Sequence, residues 1–408
     1  RAGWYAFAPV DGVFRGLPID LWIGWAALWG AVPVLLRRRL PLPVALGLLC
    51  WLDAVTMPRL FPLVQLGPRW LLGEAVGLVA VALPAQVLGR FTAGGRHLRV
   101  RVLLQVAVFA TMALWLVPTV AFELGDGSWG RLGRLPRPWQ FALAEVAVLV
   151  AAPALAAVRE FASRGAGTPF PWDPPQRLVS TGPYAYLANP MQVSTTGLLL
   201  LCAAAAGSAA LAAAAVAAAA FAVGVAGPHE HADLRHRYGP SWPEYRRQVR
   251  AWWPRWRPYQ PGPGAVLWLD EQCGPCTATG VFLRGRRPTG LALAPAAAHQ
   301  GPLVRAEYVG GDGHRERGVA AVARGLEHVN LGWAYVGWLL RLPGVGWLAQ
   351  LITDAVIAPP HRPGQPRGEG WPTPDSDCST GRSPPSGSTA SPASPPAPSP
   401  PPPGPTRR

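Results

Sequence analysis

Residues 191–226 form a run of 36 positions with no charged residue and no Pro. As one helix it would reach about 54 Å at ~1.5 Å per residue, against a bilayer core of about 30 Å. Gly207-Ser208 falls near its middle. The run therefore predicts two helices folded as a hairpin through a membrane. Five further apolar stretches precede it, near 21–36, 42–57, 71–89, 102–122 and 140–158, each bounded by Arg or Pro. The expected fold is mainly α: a polytopic helical membrane domain of about seven segments, followed by a small α/β domain and a tail.

Composition excludes the simpler alternatives. Half of the 408 residues are hydrophobic and only 14% are charged, where a soluble domain carries about 25%. That rules out a purely soluble chain and a mainly disordered one. The formal net charge is +15, and all 37 basic residues are Arg. With the load of Ala, Gly and Pro, this is the bias of a high-GC bacterial genome. The Arg residues flank apolar runs, which is a topology signal and not a nucleic-acid footprint, so no nucleic-acid partner is expected. Arg1 in place of Met points to a trimmed or incomplete start, and no signal-peptide pattern follows it.

Arg placement orients the chain in a cell membrane. Arg37–Arg39, Arg90, Arg96, Arg99, Arg101, Arg159 and Arg164 fall on one side of the alternating spans, and the hairpin returns the Arg-rich residues 228–257 to that side. Cytoplasmic loops carry such an excess. The segment AWWPRWRPY, 251–259, suits the lipid headgroup zone.

Two polar segments flank the hairpin and are expected to meet at its open end. The first is RLVSTGPYAYLANPM, Arg177–Met191; the second is HEHADLRHRYGPSWPEYRRQVRAWWP, His229–Pro254. Polar groups converging against an apolar wall make a small-molecule site. Over about 140–258 the chain resembles the isoprenylcysteine carboxyl methyltransferase and phospholipid methyltransferase group of membrane enzymes. The matching positions are Gly182, Pro183, Tyr184, Tyr186, Asn189, Pro190 and Met191, then Glu230, Leu234, Tyr238, Gly239, Tyr245, Val249 and Pro254. Three positions depart from that pattern: Ala188 stands for Arg, Gln192 for Tyr and His231 for Glu.

The resemblance implies S-adenosylmethionine as methyl donor and a lipophilic acceptor, an isoprenoid thiol or carboxylate or a lipid amine. It implies cofactor contacts from Gly182, Pro183, Tyr184, Tyr186, Asn189, Pro190, Glu230 and Tyr245. Tyr184 and Tyr186 suit a sulfonium by cation–π attraction. The helix start after Pro190 suits a carboxylate. Glu230 suits the ammonium or ribose hydroxyls, and Arg246 or Arg247 an anionic acceptor. Methyl transfer asks mainly for in-line positioning in a dry site.

After PGPG, 261–264, a strand-like AVLWLD runs straight into Cys273-Gly-Pro-Cys276 and a helix-compatible stretch, with LALAP, 291–295, as a second strand. Strand–CxxC–helix is a thioredoxin-like redox layout. Cys273 at a helix N-terminus would be the nucleophilic thiolate and Cys276 the resolving thiol. The D-x-x-C-x-x-C opening and GVAAVARGLEHV, 318–329, resemble the DCC thiol–disulfide oxidoreductase-like family. Cys50 and Cys202, in apolar runs, are expected to be inert core thiols. A zinc site lacks a second ligand pair, so no metal is expected.

The domains are thus 1–139, N-terminal transmembrane helices; 140–258, a methyltransferase-like membrane domain with a cytoplasmic cofactor site; 264–358, a cytoplasmic thioredoxin-like domain; and 359–408, a disordered Pro/Ser-rich tail. The expected function is methylation of a lipophilic acceptor, with membrane lipids and a redox protein as partners. Two rivals stand beside it. One is a membrane-anchored oxidoreductase whose methyltransferase-like part is non-catalytic; the other is a small transporter.

Overall fold

The computed structural model describes residues 3–170 and 173–356. The tail expected to be disordered lies outside the described residues. A short antiparallel pair, β1 (Tyr5–Phe7) and β2 (Val64–Leu66), closes the N-terminal end. Residues 19–238 are mainly helical: α1 (Ile19–Leu35), α2 (Leu42–Leu60), α3 (Trp70–Ala93), α4 (Leu98–Leu124), α5 (Arg137–Gly165), α6 (Pro190–Ala206) and α7 (Ala209–Tyr238). Five of them, α2, α3, α4, α5 and α7, are long and apolar enough to cross a membrane; α1 and α6 are shorter than that. Leu103, Trp139, Phe141 and Phe221 are well exposed on these helices, and so is Cys50, which faces outward and not into a core. Lipid tails, not water, suit such surfaces.

Four of these helices share one irregularity with one cause. A five-residue π-helical turn at Ala27–Ala31, Leu78–Ala82, Met112–Leu116 and Ala222–Ala226 ends two residues before Pro33, Pro84, Pro118 and Pro228. Pro has no N–H and collides with the carbonyl four residues back, so the helix widens there. In α1 the freed Trp29 and Gly30 carbonyls accept from Gln86 Nε2 on α3, at 2.6 and 2.8 Å. The amide nitrogen of a fully buried Gln is thereby satisfied inside an apolar bundle, while its Oε1 is left without a partner.

The hairpin folds where it was expected. Gly207 takes the left-handed conformation, φ +61°, that ends α6. Ser208 caps α7 by accepting from the Leu211 amide at 3.1 Å. The preceding loop serves both helix ends. Asp126 accepts from the Ala209 and Ala210 amides, each at 3.0 Å, and these bonds lower its pKa. Arg131 donates to the Ala206 and Gly207 carbonyls at 3.2 and 3.0 Å. Each charge thus meets the helix end of opposite polarity. A short helix, α8 (Ser241–Gln248), follows α7.

The remaining described residues build an α/β unit. Strand β3 (Ala265–Leu269) leads through α9 (Gly274–Gly285) to β4 (Leu291–Pro295), parallel to β3. Strands β5 (Glu307–Val309) and β6 (Arg315–Arg317) add antiparallel on the other side, giving the order β4-β3-β5-β6. Helices α10 (Val319–Leu326), α11 (Leu331–Leu340) and α12 (Pro343–Val356) complete it. Leu267, Leu283, Tyr308, Ala321, Leu326 and Val329 form its core.

Candidate functional site

The two polar segments around the hairpin do meet. Tyr245 Oη on α8 donates to the Tyr184 carbonyl at 2.8 Å. The Ala188 and Asn189 amides donate to the Arg250 and Ala251 carbonyls at 2.9 and 3.2 Å. Trp242, Tyr245, Val249 and Tyr259 pack into one cluster with Leu178, Ala188, Leu234 and Tyr238. Tyr238 Oη donates to the Pro175 carbonyl at 2.6 Å, and Trp242 Nε1 to His231 Nδ1 at 3.0 Å.

Gly182 and Pro183 open a buried single turn, 182–185, that sets Tyr184 against α5. The Tyr184 ring stacks on Phe161, centroids 4.9 Å apart and planes 7° from parallel. Its hydroxyl is buried with no hydrogen-bond partner. Burial first, then Tyr245, Glu230 and Glu160, raises its pKa and keeps the phenol neutral. Asn189 precedes Pro190 and α6, yet its amide donates to Gln192 Oε1 at 3.0 Å instead of capping the helix. Glu230 lies exposed on α7, and Arg247, exposed on α8, turns back to its own Pro243 carbonyl at 3.4 Å. Arg246 stays close to home, bonding the Val249 carbonyl with its guanidinium over Trp242.

Tyr186 does not join Tyr184. It is fully buried, donates to the Glu327 carbonyl at 2.7 Å and meets the edge of Trp338 at 5.8 Å. It belongs to a junction between the end of α5 and the α/β unit. There Glu160, fully buried, accepts from Arg324 at 2.6 Å, Arg341 at 3.2 Å and Thr181 Oγ at 2.8 Å. Glu327 accepts from Arg324 at 3.0 Å and Arg341 at 2.8 Å. Arg159 and Arg341 pair with Glu316 at 3.2 and 3.1 Å, and Arg164 pairs with Asp312. Four arginines thus face four carboxylates. Burial disfavours a charged Arg324, but the pull of Glu160 and Glu327 outweighs it and raises its pKa. Gly182, at φ +60°, is part of this fit: a Cβ there would stand 2.7 Å from Glu160 Cγ. Sequence reasoning missed the junction. Its one signal was Arg324, Glu327 and Arg341 set among the mostly apolar residues 319–341.

No family model matches the chain, and no curated protein or solved structure does either.

A second site opens at the end of β3. Cys273 is the residue capping α9, in extended conformation (φ −92°, ψ 117°), and Cys276 sits in the first turn. Both thiols are free and half-buried. Burial, then hydrogen bonding and charge from Cys273, pushes the Cys276 thiol up to about 11. Beside the pair lies a cavity of about 450 Å³, lined by Trp268, Pro275, Val304, Ala306, Val319 and Val322 among others. Its rim carries Arg305, paired with both oxygens of Asp354 at 3.0 and 2.6 Å.

The N-terminal bundle also buries two carboxylates that the sequence left unassigned. Asp53 accepts from Trp29 Nε1 at 3.3 Å, and Glu74 from Tyr5 Oη at 3.1 Å.

Proposed function

We propose that the chain is an integral membrane methyltransferase that uses S-adenosylmethionine on a lipophilic acceptor, with a thiol–disulfide oxidoreductase-like domain attached. The observation that carries the first part is the Tyr245–Tyr184 bond. It draws together two motif halves, 61 residues apart, around a buried phenol with an unspent hydrogen bond. A buried hydroxyl without a partner is costly unless a ligand supplies one.

Tyr184, Asn189, Pro190, Tyr245 and Glu230 are the residues that would hold the cofactor, which when bound supplies an electrophilic methyl group. Tyr184 offers its unpartnered hydroxyl, with its ring stacked on Phe161. The first-turn amides of α6 favour a carboxylate. Glu230, exposed at the open end of the hairpin, favours an ammonium or a diol. Arg247 is free to swing toward an anionic acceptor. Tyr186 and Gly182 serve by fixing the turn, since both are engaged at the junction. The apolar wall of α5, α6 and α7 excludes water and admits a lipophilic acceptor from the bilayer. The site and the α/β unit face the cytoplasm in this reading, as the Arg bias requires.

Equilibrium dialysis of S-adenosylmethionine against detergent-purified protein tests it. Saturable binding, lost in a Glu230→Ala, Asn189→Ala double variant, is expected; no binding to folded protein sinks the proposal.

The cavity at Cys273 favours a second activity, thiol–disulfide exchange. The βαβ unit that places Cys273 at the start of α9 supports a thioredoxin-like reading. If the cofactor does not bind, this activity stands alone, with the membrane helices as its anchor and the Gly182–Tyr186 turn as its dock.

A further inference from the structure

Helix α12 has two faces that differ in kind. Gln350, Thr353 and Asp354 line the Cys273–Cys276 cavity. Gln350 also accepts from the Val319 amide at 2.8 Å, which holds the helix in place. Trp347, Leu348, Leu351 and Ile352, spaced i, i+1, i+4 and i+5, form the other face and are 68%, 51%, 52% and 56% exposed. An apolar stripe of this size on a helix that also walls a cavity needs a covering surface.

The position of α12 supplies one. On α5, large apolar side chains are exposed from Trp139 to Leu155. That is about 24 Å of helix, close to the ~30 Å bilayer core, so the lipid boundary falls within about a turn of Leu155. Arg159, one turn on, donates to the Arg341 carbonyl at 2.7 Å. Helix α12 begins at Pro343, two residues later. The same level carries exposed Trp253 and Trp256, on a segment tied to Tyr186 and Leu331 by backbone bonds from Arg255 at 3.0 Å and to Trp256 at 2.9 Å. Tryptophan and arginine together are residues of the membrane interface.

We infer that α12 lies in the headgroup layer of the membrane the chain spans, with its Trp347–Ile352 face in lipid, and that it seats the Cys273–Cys276 cavity there to receive an apolar disulfide dissolved in the bilayer. The inference rests on the thiol–disulfide reading of that cavity. The step balances within the two reactants. Cys273 Sγ attacks one sulfur of the substrate, breaking its S–S bond and releasing one substrate thiol. Cys276 Sγ then displaces the second thiol from the mixed disulfide. Two electrons and two protons pass to the substrate, and a Cys273–Cys276 disulfide remains.

The full chain, reduced and reconstituted in vesicles containing a phospholipid with a diazirine in its acyl chain, tests the placement by photolabelling and peptide mass spectrometry. Residues 137–155 are the internal control. Label on 343–356, lost in a Leu351→Glu, Ile352→Glu variant, is the expected result. Both positions are exposed, so the variant keeps its packing. In the same vesicles, dioctyl disulfide should oxidise the pair more than about tenfold faster than hydroxyethyl disulfide, and the variant should lose that preference while its rate with hydroxyethyl disulfide holds. Label on α5 with α12 blank overturns the placement, as does an unchanged preference in the variant. A pair that neither disulfide oxidises sinks the thiol–disulfide reading and the substrate with it, whatever the labelling shows.

Discussion

The hydroxyl of Tyr186 donates to the backbone carbonyl of Glu327 at 2.7 Å, across 141 residues of sequence. It joins the turn before the hairpin to the α/β unit, and it lies against the buried lattice of Glu160, Arg324, Glu327 and Arg341. A position that reads as a cofactor contact in the sequence thus works as a joint in the fold. Tyr186→Phe should cost about 1 kcal/mol, the net value of one buried hydrogen bond, and leave S-adenosylmethionine binding intact. Melting temperature and dialysis on one preparation check both halves.

Removing Glu160 should be far more damaging. Glu160→Ala leaves Arg324 and Arg341, 1% and 4% exposed, short of an anion in a dry junction. Breaking a buried ion pair from one side costs about 3–5 kcal/mol. The expected outcome is a lowered unfolding midpoint for the α/β unit, followed by its near-UV dichroism and its protease sensitivity.

Gly182→Ala should destabilise the same turn by about 1–3 kcal/mol, because an L side chain at φ +60° is strained and would press on Glu160. A melting temperature equal to that of the parent would count against the docked geometry.

The junction should also weaken in acid. Burial alone would raise the Glu316 pKa, but the His314 hydrogen bond and the charges of Arg341, Arg159 and Arg324 pull it from 4.5 down to about 2. A depressed carboxyl stabilises the fold above its unfolded pKa and loses that contribution as the proton goes on. Stability should therefore fall between about pH 4.5 and about pH 2, and Glu316→Gln should flatten that part of the profile. Thermal melts across this range measure it.

Alkylation should separate the two thiols. With its pKa pushed up to about 11, Cys276 should react slowly with iodoacetamide at neutral pH and accelerate as the pH approaches 11. Peptide-resolved mass spectrometry of the reduced protein, with Cys273→Ser alongside, reads this out. Rapid neutral-pH labelling of Cys276 would contradict its burial.

Much of the fold was legible in the sequence, because its strongest signals are local. The stretch read at 140–158 lies within α5, and the one at 102–122 within α4. The Gly207-Ser208 break is the hairpin turn, and LALAP is β4 residue for residue. Charge-free length, Pro and Gly carry such information without reference to distant partners. Strands β5 and β6, three residues each, were not foreseen. Strands so short owe their existence to pairing, β5 with β3 and β6 with β5, and no window of their own sequence marks them. Residues 319–358 have apolar helical character around Trp333, Trp338 and Trp347 in the sequence, and the described ones form α10, α11 and α12; where one helix ends and the next begins is set by packing.

The candidate sites divide in the same way. The sequence by itself determined that the chain carries helices long and apolar enough to cross a membrane, that its two polar segments return to one face, and that Cys273 and Cys276 begin a helix. Hydrophobic length and helical repeat suffice for each of these. Only the tertiary structure decided that Tyr184 keeps a free hydroxyl while Tyr186 spends its own on Glu327. It alone set Gly182 against Glu160 and left one face of α12 bare. Those outcomes depend on which buried polar group finds a partner across more than a hundred residues, and the cost of leaving one unpaired is settled by geometry that no local pattern encodes.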